Sequence, residues 1–141
     1  MTSVFDGQTA VDHAETAAAA IRAINHLTYH DTALPYPSDA WRLIGQLGSV
    51  AYRLQQALRQ TATLFRDQQE RGLIGIDAGT TYAGDTAGAV RDTTAALEDA
   101  QRAASRLADA LEQAQQPLAY AHYAGPLADD DGGDAWVEAT R

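Results

Sequence analysis

Two histidines at helical spacing are the first residues in this sequence that could bind a metal. His26 and His30 are four residues apart, so a helix would place both on one face, with Asp31 next to the second. A structural zinc site needs four ligands, and His13 and His122 would have to complete this one from distant parts of the chain. We therefore treat His26 and His30 as weak metal candidates and predict no cofactor.

A glycine-rich stretch, GTTYAGDT at residues 79–86, comes close to the phosphate-binding pattern G-x-x-x-x-G-K-[ST]. Asp85 takes the place of the lysine, whose positive charge faces the phosphates in that motif. An aspartate would repel them, and the chain contains no lysine at all. We therefore interpret residues 72–84 as a connecting loop and not as a nucleotide site.

Other chemistry is excluded more directly. The chain has no cysteine, which removes disulfides, thiolate metal sites and cysteine nucleophiles. The acidic run at 129–134 fails the calcium-loop pattern, because Gly133 takes a position that requires a carboxylate or amide. No serine, histidine and aspartate can be assigned to a catalytic set. We predict that the protein is not an enzyme.

The hydrophobic pattern of the chain predicts helices. A first helix is expected over 9–29, ended by Pro35 and Pro37. Ser38 is expected to cap a second helix, which stops at Gly72. Asp85 or Thr86 is expected to cap a third helix, which runs to about residue 116. Residues 1–8 are expected to be a flexible N-terminus, 9–119 a helical bundle domain, and 120–141 an acidic, flexible tail.

Both long helices carry apolar residues at alternating steps of three and four, which is typical of helices that pack lengthwise. These seams supply the predicted interaction residues: Trp41, Ile44, Leu47, Leu54, Leu58, Phe65, Val90, Leu97, Leu107 and Leu111. A flanking column on the second helix, seven residues apart, contains Leu43, Val50, Ala57 and Leu64. The predicted fold is all-α: a long antiparallel helical hairpin plus a shorter N-terminal helix, forming a three-helix bundle that dimerisation would complete.

Trp41 and Gly45, near the start of the second helix, give the chain a resemblance to the small helical-hairpin substrates of type VII secretion. Those proteins carry a Trp-x-Gly turn between two helices. Here the two residues are four apart and within a predicted helix, and no Tyr-x-x-x-Asp/Glu signal follows the hairpin. The resemblance implies export without a cleaved signal peptide.

The formal net charge of −9 makes the chain a poor ligand for nucleic acid and a better match for a basic partner. Every basic residue is arginine, which suggests an actinobacterial source. No basic leader and no long apolar run occurs, so we expect a cytoplasmic protein without a membrane span.

The leading hypothesis is a non-enzymatic interaction module, because the first helix is too short to cover the longer hairpin, above all near residues 66–85. It would self-associate, as a homo-oligomer, or bind a partner protein through exposed seams. The alternatives are a type VII-like exported hairpin protein and an acidic regulator or antitoxin that binds a basic partner.

Overall fold

The computed structural model describes residues 7–126 of the 141-residue chain. Three α-helices follow one another: α1 spans Ala10–Leu27, α2 spans Pro37–Glu70 and α3 spans Thr86–Gln115. A short 3-10 helix, Gln116–Leu118, follows α3 and packs against α2 as well. The described residues contain no strand. The all-α prediction of a long helical hairpin plus a shorter N-terminal helix is confirmed.

The start of α1 is fixed by a capping box. The amide of Asp12 donates to the Thr9 hydroxyl at 3.2 Å, and the amide of Thr9 donates to the Asp12 carboxylate at 2.7 Å. The Thr9 hydroxyl also donates to the Asp12 carboxylate, at 2.8 Å. The bond from the Thr9 amide, followed by this one, holds the pKa of the Asp12 carboxyl below its ordinary value of 3.8. The cap therefore settles where α1 begins, one residue after Thr9.

The start of α2 differs from the prediction. Tyr36 is the N-cap and Pro37 is the first helical residue, so Ser38 lies inside the first turn instead of capping it. Proline suits this position because its missing N–H would have no helical partner there. Asp39 completes the turn by accepting a hydrogen bond from the Tyr36 amide at 3.3 Å.

The end of α2 matches the prediction. Gly72 adopts a φ of +67°, the left-handed conformation that glycine reaches without strain. The amides of Gly72 and Leu73 donate to the carbonyls of Gln69 and Gln68, at 3.0 Å and 2.9 Å. This pair of bonds is a Schellman motif, which satisfies carbonyl groups that the helix end would otherwise leave open.

The helices α2 and α3 pack along their length as an antiparallel hairpin. At its open end, Gln115 Nε2 donates to the Trp41 carbonyl at 3.0 Å, and near the connecting loop an ion pair joins Arg66 to Glu98. Within residues 7–126, no Cα atom of α1 comes within 8 Å of one in α2 or α3. The hairpin thus forms without the first helix.

The residues that are fully buried in the hairpin have small side chains. The residues that become buried are Ala51 and Ala62 of α2, and Gly88, Val90, Thr94 and Ala104 of α3. Small residues let two helices approach closely, but each buries little apolar surface. No helix in the described part of the chain is long and apolar enough to cross a membrane.

Candidate interaction surface

One column of residues on each long helix faces the other helix. The members of these interior columns are Ile44, Gly48, Ala51, Gln55, Leu58, Ala62, Phe65 and Gln69 on α2, and Val90, Thr94, Leu97, Gln101, Ala104, Ala108, Leu111 and Gln115 on α3. All are buried or half-buried except Phe65, which is 36% exposed. Their spacing of three and four residues keeps them on one side of each helix. The interior columns therefore fix the direction in which every other residue of the hairpin points.

The residues that directly precede the interior residues in the sequence form a second, apolar set; we call such a shift by one residue a step back. Each step along an α-helix turns the side chain by about 100°. Because α2 and α3 run in opposite directions, a step back turns towards the same side of the hairpin on both helices. We call this side the apolar face: Leu43, Leu47, Val50, Leu54, Ala57, Thr61 and Leu64 of α2, with Thr93, Ala96, Ala100, Ala103, Leu107, Ala110 and Ala114 of α3.

One step forward from the interior columns leads to the opposite side, the polar face. An open groove there brings Ser49 and Tyr52 of α2 beside Asp109 and Glu112 of α3. A second groove nearer the connecting loop is lined by the Arg66–Glu98 pair, with Glu70 and Arg91. That both grooves combine residues of the two helices confirms that forward steps meet on one side. The hairpin is amphipathic across its width, with one polar and one apolar side.

The apolar face is exposed along the hairpin. Val50 exposes 50%, Leu54 45%, Leu64 60% and Leu107 51% of its surface, whereas Leu43 and Leu47 are half-buried. No member of the face carries a charge. The sequence placed the exposed surface mainly near residues 66–85; in the structure it extends along both helices because α1 does not pack on them.

The predicted interaction residues divide into two groups in the structure. Those placed between α2 and α3 are Ile44, Leu58, Val90, Leu97 and Leu111. Phe65 has the same register as these interior residues but is 36% exposed. Those on the apolar face are Leu47, Leu54 and Leu107. The members of this second group point away from the space between α2 and α3.

Trp41 lies elsewhere, on the polar side at the open end of the hairpin. It lines an open groove with Gln46 and Gln115, and it is 40% exposed. Gly45 follows within α2, and a Cβ there would collide with the Gln115 side chain. Trp41 and Gly45 are thus at the opposite end of the hairpin from the 71–85 connection, so they do not form a turn between its helices.

The sequence pattern identified only part of the α3 half of the apolar face. Leu107 is among the predicted interaction residues, but the alanines beside it are not. The available signal was the second run of three- and four-residue steps through Ala96, Ala100, Ala103, Leu107 and Ala110. On α2 the same signal appeared as the flanking column that contains Val50 and Leu64.

The two candidate metal ligands lie where α1 ends. The rings of His26 and His30 are T-shaped with centroids 6.0 Å apart, and His30 makes a similar contact with Tyr29 at 5.8 Å. Among residues 7–126, no group of three histidine, cysteine or carboxylate side chains is arranged to hold a metal ion. Metal binding by this pair stays a prediction.

The phosphate-like stretch is occupied by a helix cap. Asp85 is the N-cap of α3, and its Oδ1 accepts from the Gly88 amide at 2.9 Å. This is the type of amide that a bound phosphate uses at a helix N-terminus. The carboxylate already provides the negative charge there, which agrees with interpreting this stretch as a loop that leads into a helix. The acidic run at 129–134 lies outside the described residues.

One side-chain hydrogen bond ties the connecting loop to α3. Tyr82 donates from its hydroxyl to Asp92 Oδ2 at 2.8 Å. The bond raises the pKa of Tyr82 above its ordinary 10.0, and, with a smaller effect of Arg91, lowers the pKa of Asp92 below 3.8. Ile74 and Ile76 in this loop are half-buried, whereas Leu73 is exposed.

A scan against models of protein families, a search of curated proteins and a search of solved structures each found no match to this chain. Its function is therefore argued from its own surface.

Proposed function

We propose that this protein is a non-enzymatic helical interaction module, which self-associates or binds a helical partner through the apolar face. The observation that carries the proposal is the exposed, uncharged strip of apolar residues on one side of the hairpin, opposite a polar side. Large exposed apolar patches on soluble domains usually mark binding sites. The spacing of this one suits a helix or helical hairpin as its ligand, because three- and four-residue steps interdigitate with the same steps on another helix.

The size of the apolar face supports the proposal. From Leu43 to Leu64 the face runs about 32 Å, since each helical residue rises 1.5 Å, and two adjacent helices make it roughly 20 Å wide. That gives ~600 Å² on one molecule, which approaches the ~800 Å² that each partner contributes to a standard specific interface.

Photo-crosslinking in cells tests the proposal directly. A benzophenone amino acid is placed at Val50 on the apolar face or, as the matched control, at Tyr52 on the polar face. Both positions are exposed on α2 and two residues apart. We expect covalent adducts with protein at Val50 and few at Tyr52. Equal yields at the two positions, or none at Val50, would remove the apolar face as a binding surface.

The cellular location of the module remains the one predicted from the sequence, the cytoplasm, with export as a type VII-like hairpin as the alternative. Separating cells from culture medium distinguishes the two. Protein that accumulates in the medium only when a type VII system is intact would favour the alternative.

A further inference from the structure

We propose that the partner covering the apolar face is a second copy of this chain. The two hairpins pack face to face about a twofold axis parallel to their helices, so that α2 of each copy lies on α3 of the other. This inference rests on the proposed function and names its partner. It yields an antiparallel four-helix bundle, a stable arrangement for amphipathic helices.

The dimensions favour a hairpin over the chain's own first helix as the occupant. With 18 residues, α1 is about 27 Å long and a single helix wide. In the groove between α2 and α3 it would leave part of the length and the outer flanks of the apolar face exposed, whereas a second hairpin has the same length and width. Face-to-face packing buries ~1,200 Å² in total, which reaches the range of specific protein interfaces. The structure agrees, since α1 approaches neither helix of the hairpin.

The twofold axis determines which helices meet. An axis parallel to the helices places α2 of each copy on α3 of the other, whereas an axis that crosses the helices places α2 on α2. The first is the orientation that we propose.

The side-chain sizes agree with the same orientation. The α2 half of the apolar face is rich in large residues, with Leu43, Leu47, Leu54 and Leu64, and the α3 half is mostly alanine. Large residues then meet small ones across the interface, which allows the two layers to interdigitate. With α2 on α2, leucines would face leucines and alanines would face alanines.

The in-chain register predicts which residues meet. A Cβ at Gly48 would lie 3.6 Å from Leu111 Cβ, so residues 48 and 111 lie at about the same height. Because the two helices are antiparallel, residue 64 of α2 is then level with residues 95–96 of α3. A twofold axis parallel to the helices preserves height, which places Leu64 of one copy opposite Ala96 of the other. Diagonal helices in such a bundle are about 14 Å apart, because neighbours are about 10 Å apart. The two copies of Leu54 on the diagonal α2 helices are therefore far from each other.

Light scattering coupled to size exclusion tests the second copy as partner. We expect the full chain at high micromolar concentration to have twice the chain mass of 15.0 kDa. The double variant Leu54→Glu and Leu64→Glu should be monomeric, with a dimer dissociation constant raised at least ~100-fold. Gln56→Glu with Thr63→Glu adds the same charge on the polar face and should leave the dimer intact. A monomeric wild-type chain, or equal loss in both double variants, would overturn the inference.

Disulfide formation tests the orientation of the two copies. Because the chain has no cysteine, an introduced cysteine can link only to another introduced cysteine. We expect a Leu64→Cys chain mixed with an Ala96→Cys chain to form a mixed disulfide dimer. Leu54→Cys alone should not link, because a disulfide needs Cα atoms within about 7 Å. Efficient linking through Leu54→Cys, without the mixed product, would show α2 on α2 and overturn the proposed arrangement.

The same experiments separate this inference from the proposed function. A strictly monomeric chain that still forms Val50 adducts with another protein overturns the second copy but leaves the interaction module standing. A chain that forms neither dimers nor adducts fails both.

Discussion

At the scale of single residues, the most informative side chain is Asp85, which the sequence presents in two ways. As part of a glycine-rich stretch it occupies the lysine position of a phosphate loop; as a residue before a helical run it is a cap. The structure shows the cap, with its carboxylate on the Gly88 amide at 2.9 Å. A Cβ at position 88 would collide with that carboxylate, so glycine there leaves room for the cap. The local chemistry of helix initiation accounts for this part of the motif.

The Tyr82–Asp92 hydrogen bond gives a pH prediction at the same scale. The pKa of Asp92 is lowered, so the bond's contribution is present above pH 3.8 and is lost as pH falls through the lowered value. The pKa of Tyr82 is raised, so the contribution is present below pH 10.0 and is lost as pH rises through the raised value. We expect the Tyr82 phenol, followed by carbon NMR, to lose its proton at higher pH in the wild-type chain than in Asp92→Ala.

A variant of Tyr82 provides a second test of this bond. Tyr82→Phe removes the hydroxyl and keeps the ring, so amides of residues 73–84 should exchange faster at neutral pH than in the wild-type chain. An unchanged exchange rate, or an identical Tyr82 titration in Asp92→Ala, would show that the bond does not hold the loop.

At the scale of elements, two glycines in and after α2 have opposite roles. A Cβ at Gly48 would lie 3.6 Å from Leu111 Cβ, an ordinary contact, so alanine fits and gains helix propensity. Gly72 has a φ of +67°, where an alanine is strained. We expect Gly48→Ala to raise the free energy of unfolding by about 1 kcal/mol and Gly72→Ala to lower it by roughly 1–2 kcal/mol, measured by urea denaturation. Stabilisation by both changes would contradict the Schellman end of α2.

The first helix gives a second prediction about elements. An isolated helix of this length is marginal in water, and among the described helices neither α2 nor α3 packs against α1. Val11 and Leu27 are more than 60% exposed. We expect hydrogen exchange with mass spectrometry to show much weaker protection in residues 10–27 than in the middle of α2 and α3. Protection in α1 equal to that in the hairpin would show that α1 docks in solution.

The elements also show what the sequence could predict. Helix existence, the stop at Gly72 and the cap at Asp85 follow from local rules that act within a few residues. The choice of Tyr36 over Ser38 as the cap was missed because Pro37 can begin a helix as well as interrupt one. The undocked α1 could not be foreseen, since an apolar stripe shows that a helix can pack but not where. Assigning Ile44 and Leu58 to the interior and Val50 and Leu64 to the outside required the rotation of α2 against α3.

At the scale of the whole molecule, the hairpin has little core of its own. Its buried side chains are no larger than valine and threonine among the described residues, and each buried methyl-sized group contributes only ~0.8 kcal/mol. The larger apolar residues are either half-buried between the helices, such as Ile44 and Leu111, or on the exposed apolar face, such as Leu54 and Leu64. Part of the hydrophobic stabilisation available to the hairpin is therefore gained only if the proposed second copy buries the apolar face. Its folding and its association should therefore be coupled.

That coupling makes thermal stability depend on concentration. If two copies bury the apolar face, unfolding separates them and mass action raises the midpoint temperature with protein concentration. For two chains of this length we expect a rise of about 3 °C for each tenfold increase, from the usual unfolding enthalpy per residue. Far-UV circular dichroism over a hundredfold range of concentration measures it. The monomeric variant Leu54→Glu with Leu64→Glu should melt at a lower temperature that does not change with concentration, whereas Gln56→Glu with Thr63→Glu should follow the wild-type chain. A concentration-independent midpoint in the wild-type chain would mean that the hairpin folds alone, and the apolar face would then be a surface kept open for another protein.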